Sequence, residues 1–312
     1  MERTRARNVG HGDLTIPLPA MLPISGVITA MVTPFDAGGV LDIDGARRLT
    51  RHLVENGSHG LVVAGTTGES PTLSDAEKLE LLRAVRAEVG DEATVICGTG
   101  SNDTHHSVEL TRAAVGEGAD AVLVVTPYYN KPNRAGLRAH FEAVAEAAGT
   151  TPVVLYNIPS RCVVNLDPGF LAELAGIDNV VAVKQANNDE LRPIEGLDLV
   201  AGNDNIFLRC LELGGAGGIL VSSHLVGPQM RELFEAVKSG DVERAREIDI
   251  AIQGVYEATT VTSNPIPVKA ALEMLGLIGG ALRLPMVEAD EGQRAAIRAA
   301  LERQGLLAAA TR

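Results

Sequence analysis

The chain has 312 residues, of which 46% are hydrophobic, so it can bury a large core in one big domain or two ordinary ones. Its formal net charge is −13, and no basic patch is interleaved with aromatic side chains, which argues against nucleic acid or an anionic membrane surface as a partner. No apolar run reaches the roughly 18 residues that span a bilayer. The three cysteines lack the spacing of a disulfide framework or a zinc site, so a reducing cytoplasm fits best.

The chain changes character near Ile24. Residues 1–23 contain arginines, glycines and prolines without the apolar h-region of a signal peptide, and we predict a flexible N-terminal tail there. From Ile24 onward, short apolar runs alternate with longer amphipathic stretches, which is typical of βαβ units around a parallel sheet.

The number of apolar runs predicts the architecture. We predict eight strands, at Gly26 to Val32, Gly60 to Ala64, Thr94 to Cys97, Ala121 to Val125, Val153 to Tyr156, Val180 to Lys184, Leu199 to Ala201 and Gly218 to Val221. Helical patterns between or after them include Asp75 to Val89, Thr104 to Val115, Ala135 to Ala148, Phe207 to Leu213 and Leu225 to Lys238. Eight strand–helix units within residues 24–240 match a (β/α)8 TIM barrel, whose usual size is about 250 residues.

The last part of the chain contains no strand pattern. Asp241 to Thr259, Pro267 to Leu275 and Glu291 to Leu307 show helical periodicity only. We therefore predict a C-terminal helical domain over residues 241–312, appended to the α/β barrel.

Lys184 is the most unusual position in the predicted barrel, because it ends an apolar run that begins at Val180. Lysine is almost never fully buried unless it is paired. Burial disfavours the charged form, so a buried amine can become the neutral nucleophile that attacks carbonyl carbons. When the run is taken alone, it favours a lysine that reaches water or pairs with a carboxylate.

Polar side chains at the other strand ends favour the nucleophile. Active sites of TIM barrels gather at the C-terminal ends of the strands. The polar residues at or just after those ends are Thr66, Thr67, Thr99, Tyr128, Tyr129, Tyr156, Lys184, Asn203, Asp204, Ser222 and Ser223. Three of the four tyrosines belong to this set, which favours a catalytic role over ordinary packing.

The loop from Ala64 to Ser70 has two glycines and two threonines, whose amides and hydroxyls can bind a small carboxylate; a tight βα turn is the alternative. Ser74 and Glu77 predict a capping box at the start of the next helix. We predict no nucleotide site, since the later glycine-rich turn fits neither the dinucleotide fingerprint nor the phosphate-binding loop. We also predict no metal site, because the neighbours His105 and His106 cannot chelate one ion from a helix face.

Five motifs together resemble a known family. They are Gly65-Thr66-Thr67-Gly68-Glu69-Ser70, Thr126-Pro127-Tyr128-Tyr129-Asn130-Lys131-Pro132, Tyr156-Asn157-Ile158-Pro159-Ser160-Arg161, Val183-Lys184 and Asn264-Pro265-Ile266-Pro267-Val268-Lys269. From Ile24 to Leu307 the chain resembles the pyruvate-dependent family that includes dihydrodipicolinate synthase and N-acetylneuraminate lyase. The resemblance implies a Schiff base between Lys184 and pyruvate, with no other cofactor. The derived enamine would attack aspartate semialdehyde and, after cyclisation, give 4-hydroxy-tetrahydrodipicolinate for lysine and diaminopimelate biosynthesis.

The resemblance also implies catalytic roles. Tyr156 would act as acid and base beside Lys184. Thr66, Tyr156 and Tyr129 would relay protons to solvent, with Tyr129 supplied to the site of a neighbouring subunit. The family is usually a homotetramer built from two tight dimers, and we expect that assembly.

Substrate contacts follow from the same resemblance. Thr67 would hold the pyruvate carboxylate, and Gly202 and Ile219 would line the site with main-chain groups. Arg161 would bind the carboxylate of the aldehyde substrate, a task that its fork of donors suits; a surface ion pair is the alternative.

Three positions depart from the family pattern. Gln185 and Asn203 replace acidic residues, and Cys162 stands where threonine is usual. These differences leave the choice of aldehyde open without affecting the Schiff base.

A further departure concerns regulation. Members that lysine inhibits carry histidines and an acidic residue where this chain has Asp75, Lys78 and His106. This difference argues against feedback inhibition by lysine, although Ser70, Asn102 and Tyr128 are retained.

Two other functions remain open from the sequence. One is an aldolase or lyase with the same Schiff base that acts on a sugar acid, such as N-acetylneuraminate or a 2-keto-3-deoxy acid. The other is a non-catalytic pyruvate-binding or regulatory protein, which would require the loss of a catalytic residue.

Overall fold

A computed structural model describes residues 24–308 and contains a closed barrel of eight parallel strands in sequential order. The strands are β1 Gly26–Ala30, β2 Gly60–Val63, β3 Thr94–Gly98, β4 Ala121–Val125, β5 Val153–Asn157, β6 Val180–Gln185, β7 Asp198–Ala201 and β8 Gly217–Leu220. β8 pairs with β1 and closes the ring. The predicted TIM barrel is therefore confirmed. The predicted tail, residues 1–23, lies outside the described residues.

Helices follow the strands and continue beyond the barrel. They are α1 Ile43–Glu55, α2 Asp75–Val89, α3 Thr104–Gly116, α4 Arg134–Ala148, α5 Pro159–Cys162, α6 Pro168–Leu174, α7 Phe207–Glu212, α8 Ser223–Ser239, α9 Val242–Ala258, α10 Ile266–Met274 and α11 Glu291–Arg303. The helical patterns named above do not include α1, α5 or α6; α5 and α6 are too short for apolar periodicity to develop. Within residues 24–308, no helix is both long and apolar enough to cross a bilayer.

The predicted capping box at Ser74 starts α2. Ser74 Oγ accepts a hydrogen bond from the Glu77 amide at 3.3 Å, and Glu77 Oε2 accepts one from the Ser74 amide at 2.9 Å. Two otherwise unpaired donors of the first helical turn are thereby satisfied. The cap fixes the point at which the glycine-rich loop after β2 ends.

Two apolar layers build the barrel. One fills its interior and includes Val154, Tyr156 and Ala182, while the other lies between the strands and the surrounding helices and includes Leu155 and Val183. This division follows from the alternation of side chains along each strand. Lys184 is two residues beyond Ala182 and therefore also points into the barrel.

The C-terminal helices pack onto the barrel's outer layer. α9 packs against α8, and α11 packs against α9 and α10. Ile248, Leu272 and Ile297 belong to the same apolar cluster as the helices around the barrel. Beyond β8 the described residues form no further strand, but the domain boundary at residue 240 stays a prediction.

The contact between β8 and β1 generates a test of barrel closure. Gly217 pairs with Gly26, and a Cβ atom at Gly217 would overlap the main-chain oxygen and nitrogen of Gly26. We expect Gly217→Ala to lower the free energy of unfolding by about 1–3 kcal/mol, as overpacking does. Gly116→Ala is the control, since its Cβ would meet no atom within 4 Å and alanine favours the helix. Urea unfolding measures both variants, and equal effects would contradict this account.

Candidate active site

Lys184 lies inside the C-terminal mouth of the barrel. It is 5% exposed, and β-sheet register places it directly beside Tyr156 of β5. Lys184 Nζ lies 4.2 Å from the centre of the Tyr156 ring. The amine thus lies against an aromatic face at the mouth of the barrel.

This environment shifts the acid–base equilibrium of the amine. Burial lowers the pKa of Lys184 from the ordinary 10.5 to about 7, because the ammonium loses its hydration. The Asp204 carboxylate opposes this shift and the Arg161 guanidinium adds to it. A substantial fraction of the lysine is therefore the free amine near neutral pH, as nucleophilic attack requires.

Tyr156 presents a protonated phenol next to that amine. Burial raises the pKa of Tyr156 to about 12, while Arg161 and a hydrogen bond with the Thr66 side chain act in the opposite direction. The hydroxyl therefore keeps its proton near neutral pH. The Tyr156 hydroxyl can donate that proton to a neighbouring oxygen and recover a proton from the Thr66 hydroxyl.

Thr66 and Thr67 come from the loop after β2 and line a cavity of about 520 Å³ together with Tyr156 and Lys184. Thr67 is buried, and its Oγ1 accepts a hydrogen bond of 2.8 Å from Asn264 Nδ2. The threonine hydroxyls and the lysine amine therefore converge on one space, as the sequence predicted.

Arg161 and Gly202 also border this cavity. Arg161 is exposed on α5, and its guanidinium donates to the Asn264 carbonyl at 3.4 Å. Gly202 follows β7, and a Cβ atom there would come within 2.7 Å of the Gln185 carbonyl oxygen. This position therefore needs glycine for close packing of two main chains.

Two predicted residues do not join the cavity. Ile219 is fully buried in the barrel interior with Tyr156 and is not among the cavity-lining residues. Tyr129 is 87% exposed with a φ of 71° and lines neither this cavity nor a second one of about 580 Å³ that continues from Thr66 and Tyr156. Its predecessor Tyr128 lines the second cavity instead.

The contacts of Asp204 with the end of β8 could not be predicted from the sequence. Its buried carboxylate accepts hydrogen bonds from the amides of Ser222 at 2.9 Å and Val221 at 3.1 Å. Burial raises the pKa of Asp204, and these hydrogen bonds and Lys184 act against that shift. Its place after β7 was visible in the sequence, but its link to the end of β8 was not.

Asp75, Lys78 and His106, at which the sequence predicts a departure from lysine-inhibited members, line the second cavity. His106 Nε2 lies 2.8 Å from Asp75 Oδ2, and the half-exposed Asp75 also accepts a hydrogen bond of 3.1 Å from the buried Lys78.

Within residues 24–308, no group of three or more histidine, cysteine or acidic side chains could hold a metal ion.

The pKa of Lys184 gives a testable dependence of stability on pH. Between pH 7 and 10.5 the unfolded chain binds more protons at this lysine than the folded chain, so the free energy of unfolding rises with pH there, by at most about 1.4 kcal/mol per pH unit. The Lys184→Met variant lacks this pH-dependent contribution to the free energy of unfolding. We expect the stability of Lys184→Met relative to wild type to be greatest near pH 7 and to decline by pH 9.

Chemical denaturation at pH 7, 8 and 9 measures this difference. Lys238→Met is the control, because it removes an exposed lysine of α8 in place of the buried one. A difference between Lys184→Met and wild type that stays constant with pH would rule out a buried, largely neutral amine.

Comparison with known proteins agrees with this geometry. The model of the dihydrodipicolinate synthetase family matches residues 23–304. The 4-hydroxy-tetrahydrodipicolinate synthase of Moorella thermoacetica is 48% identical over 288 residues, covering 90% of this chain and 98% of the relative.

Solved structures give the same result. The dihydrodipicolinate synthase of Cyanidioschyzon merolae with lysine bound has a TM-score of 0.88 and 41% identity, covering 91% of this chain and 99% of the other. The chloride-inhibited enzyme of Acinetobacter baumannii complexed with pyruvate has a TM-score of 0.89 and 35% identity, covering 91% and 100%. The chain belongs to the dihydrodipicolinate synthetase family.

Proposed function

We propose that this chain condenses pyruvate with L-aspartate 4-semialdehyde to give 4-hydroxy-tetrahydrodipicolinate, the reaction of lysine and diaminopimelate biosynthesis. The observation that carries the proposal is the buried Lys184 amine, with a pKa of about 7, beside the Tyr156 ring at the cavity that Thr66 and Thr67 line. The name of the Moorella thermoacetica relative, 4-hydroxy-tetrahydrodipicolinate synthase, supports the same reaction.

The first step forms the Schiff base. The neutral Lys184 amine attacks the keto carbon of pyruvate, and the resulting carbinolamine loses water to give an iminium ion. Tyr156 donates the proton that lets the hydroxyl leave as water, and Thr66 passes a proton back to the phenol. The iminium nitrogen is an electron sink, so no separate cofactor is required.

The second step forms the carbon–carbon bond. Tyr156 and its relay partner Thr66 take a methyl proton from the iminium, which gives an enamine. The terminal carbon of the enamine attacks the aldehyde carbon of the second substrate, and the same relay returns a proton to the aldehyde oxygen. The amino group of that substrate then attacks the iminium carbon and displaces Lys184, which closes the ring and regenerates the free amine.

The cavity residues divide the two carboxylates between them. Thr67 is buried, lines the same cavity as Lys184 and suits the small pyruvate carboxylate, with the main chain of Gly202 bordering that cavity. Arg161 is exposed where the two cavities meet and suits the carboxylate of the incoming aldehyde. The names of the family relatives favour this synthase reaction over cleavage of a sugar acid.

Schiff-base chemistry at Lys184 has a direct test. Borohydride reduction in the presence of pyruvate should fix a covalent adduct at Lys184, located by peptide mass spectrometry. Lys184→Ala should abolish both the adduct and turnover in a coupled assay with aspartate semialdehyde, whereas Lys238→Ala on the surface should keep both. An unmodified Lys184, or faster turnover of N-acetylneuraminate or 2-keto-3-deoxygluconate than of aspartate semialdehyde, would contradict the proposal.

We also propose that the active assembly is a homotetramer of two dimers in which Tyr129 completes the proton relay of a neighbouring subunit. Tyr129 is the most exposed of the large hydrophobic side chains in residues 24–308, and its left-handed backbone conformation is unusual for a bulky residue. A tyrosine held in this way is accessible to a second copy of the chain. Thr66 and Tyr156 of that copy would receive its hydroxyl.

Mixed dimers test the crossover of Tyr129. Lys184→Ala and Tyr129→Phe should each be nearly inactive, but a hybrid dimer keeps one site with both native groups. Random co-assembly should therefore restore about a quarter of wild-type activity, by the symmetry of a two-fold dimer. Co-assembly of Lys184→Ala with Tyr156→Phe is the control and should restore none, since both residues belong to the same subunit's site. Activity no higher than that of the parents would exclude the crossover.

A further inference from the structure

A buried ion pair connects the loop that bears Thr66 and Thr67 to the C-terminal helices. Lys269 Nζ of α10 lies 2.6 Å from Glu69 Oε1, and the two side chains are 0% and 2% exposed. The other carboxylate oxygen of Glu69 accepts a hydrogen bond of 3.0 Å from the Arg283 amide. Glu69 lies only two residues after Thr67. We call Glu69, Lys269 and Arg283 the loop anchor.

An aromatic ring closes the loop anchor on one side. Lys269 Nζ and Arg283 Cζ each lie 4.3 Å from the centre of the buried Phe35 ring. The Arg283 guanidinium also donates to the Thr72 carbonyl at 2.9 Å and to Glu77 Oε1 at 2.6 Å. The loop is thus held from Glu69 to the start of α2.

Stability alone is a poor explanation for these charges. Taking an ammonium and a carboxylate out of water costs free energy that their mutual attraction only partly returns, so well-packed apolar side chains often serve as well or better. What an ion pair with short hydrogen bonds adds is a fixed geometry. Here that geometry is imposed on a residue with a φ of 54°, which few non-glycine residues adopt.

Further contacts transmit this geometry to the threonines. The Glu69 amide donates to the Thr66 carbonyl at 3.2 Å, and Thr33 Oγ1 donates to the Gly68 carbonyl at 2.6 Å. The segment before α10 also reaches the site directly, since Asn264 donates to the Thr67 hydroxyl at 2.8 Å. Movement of Glu69 would therefore change the position of both hydroxyls.

We propose that Glu69 is a positioning residue that, through Lys269 and Arg283, holds Thr66 and Thr67 in the geometry that binds the keto-acid carboxylate. The proposal rests on the function proposed above for those two threonines. It makes the C-terminal helical segment a part of the active site, because α10 supplies the cation that fixes the loop.

The experiment measures how borohydride trapping depends on pyruvate concentration. Glu69→Gln keeps the shape of the side chain and removes its charge, and we expect the pyruvate concentration for half-maximal trapping to rise about tenfold, equivalent to about 1.4 kcal/mol of binding. The turnover number at saturating pyruvate should fall by less. A merely structural role would reduce thermal stability and the folded fraction without changing this half-saturation value.

Glu69→Asp serves as a second variant if Glu69→Gln does not fold. It keeps the paired charge but shortens the side chain by one methylene, so it should also raise the half-saturation value. Glu273→Gln is the matched control, because Glu273 lies on α10 like Lys269 but forms its ion pair with Arg294, at 2.8 Å, and not with the loop. The control should leave the half-saturation value unchanged.

The outcomes separate this proposal from the one on which it rests. Wild-type protein that traps no pyruvate at Lys184 would overturn both. Wild-type trapping together with unchanged half-saturation in a folded Glu69 variant would overturn the loop anchor alone. An increase in Glu273→Gln as large as in Glu69→Gln would also overturn it, since the effect would then come from α10 in general.

Discussion

The chemistry proposed for this barrel depends on the desolvation of one amine, that of Lys184. Full burial can lower the pKa of a lysine by about 3–5 units. Burial alone would therefore favour the neutral Lys184 amine, with no opposing charge to limit the fall of its pKa. Asp204 opposes that shift from a position set by the Val221 and Ser222 amides. The result is a pKa of about 7, close to the pH at which a nucleophile that must also leave as an amine works best.

The strand register explains why the amine and the phenol meet. β5 and β6 pair in parallel with Tyr156 opposite Lys184, so both side chains point into the same layer of the barrel. A shift of one residue in either strand would send one of the two to the outer layer. The apolar residues of the interior therefore set both the geometry of the site and the burial of the amine.

The sequence predicts most of the barrel and of the cavity because both depend on local patterns. Apolar runs predict the strands, and polar residues directly after them predict Thr66, Thr67 and Lys184 at the mouth. Contacts between distant segments leave no such pattern. Asp204 reaches the end of β8, and Glu69 reaches Lys269 two hundred residues later, within helices that the sequence identifies only as an appendage.

Lys184 and Lys269 show how the partner of a buried lysine decides its role. Burial lowers the pKa of both amines. Lys269 has the Glu69 carboxylate at 2.6 Å, which favours its charged form. The hydrogen bond between them ties α10 to the loop after β2. Lys184 faces an aromatic ring, and within residues 24–308 no carboxylate forms a salt bridge with it, so its lone pair is free to attack carbon. The same buried side chain thus suits the proposed nucleophile in one place and a fixed cation in the other.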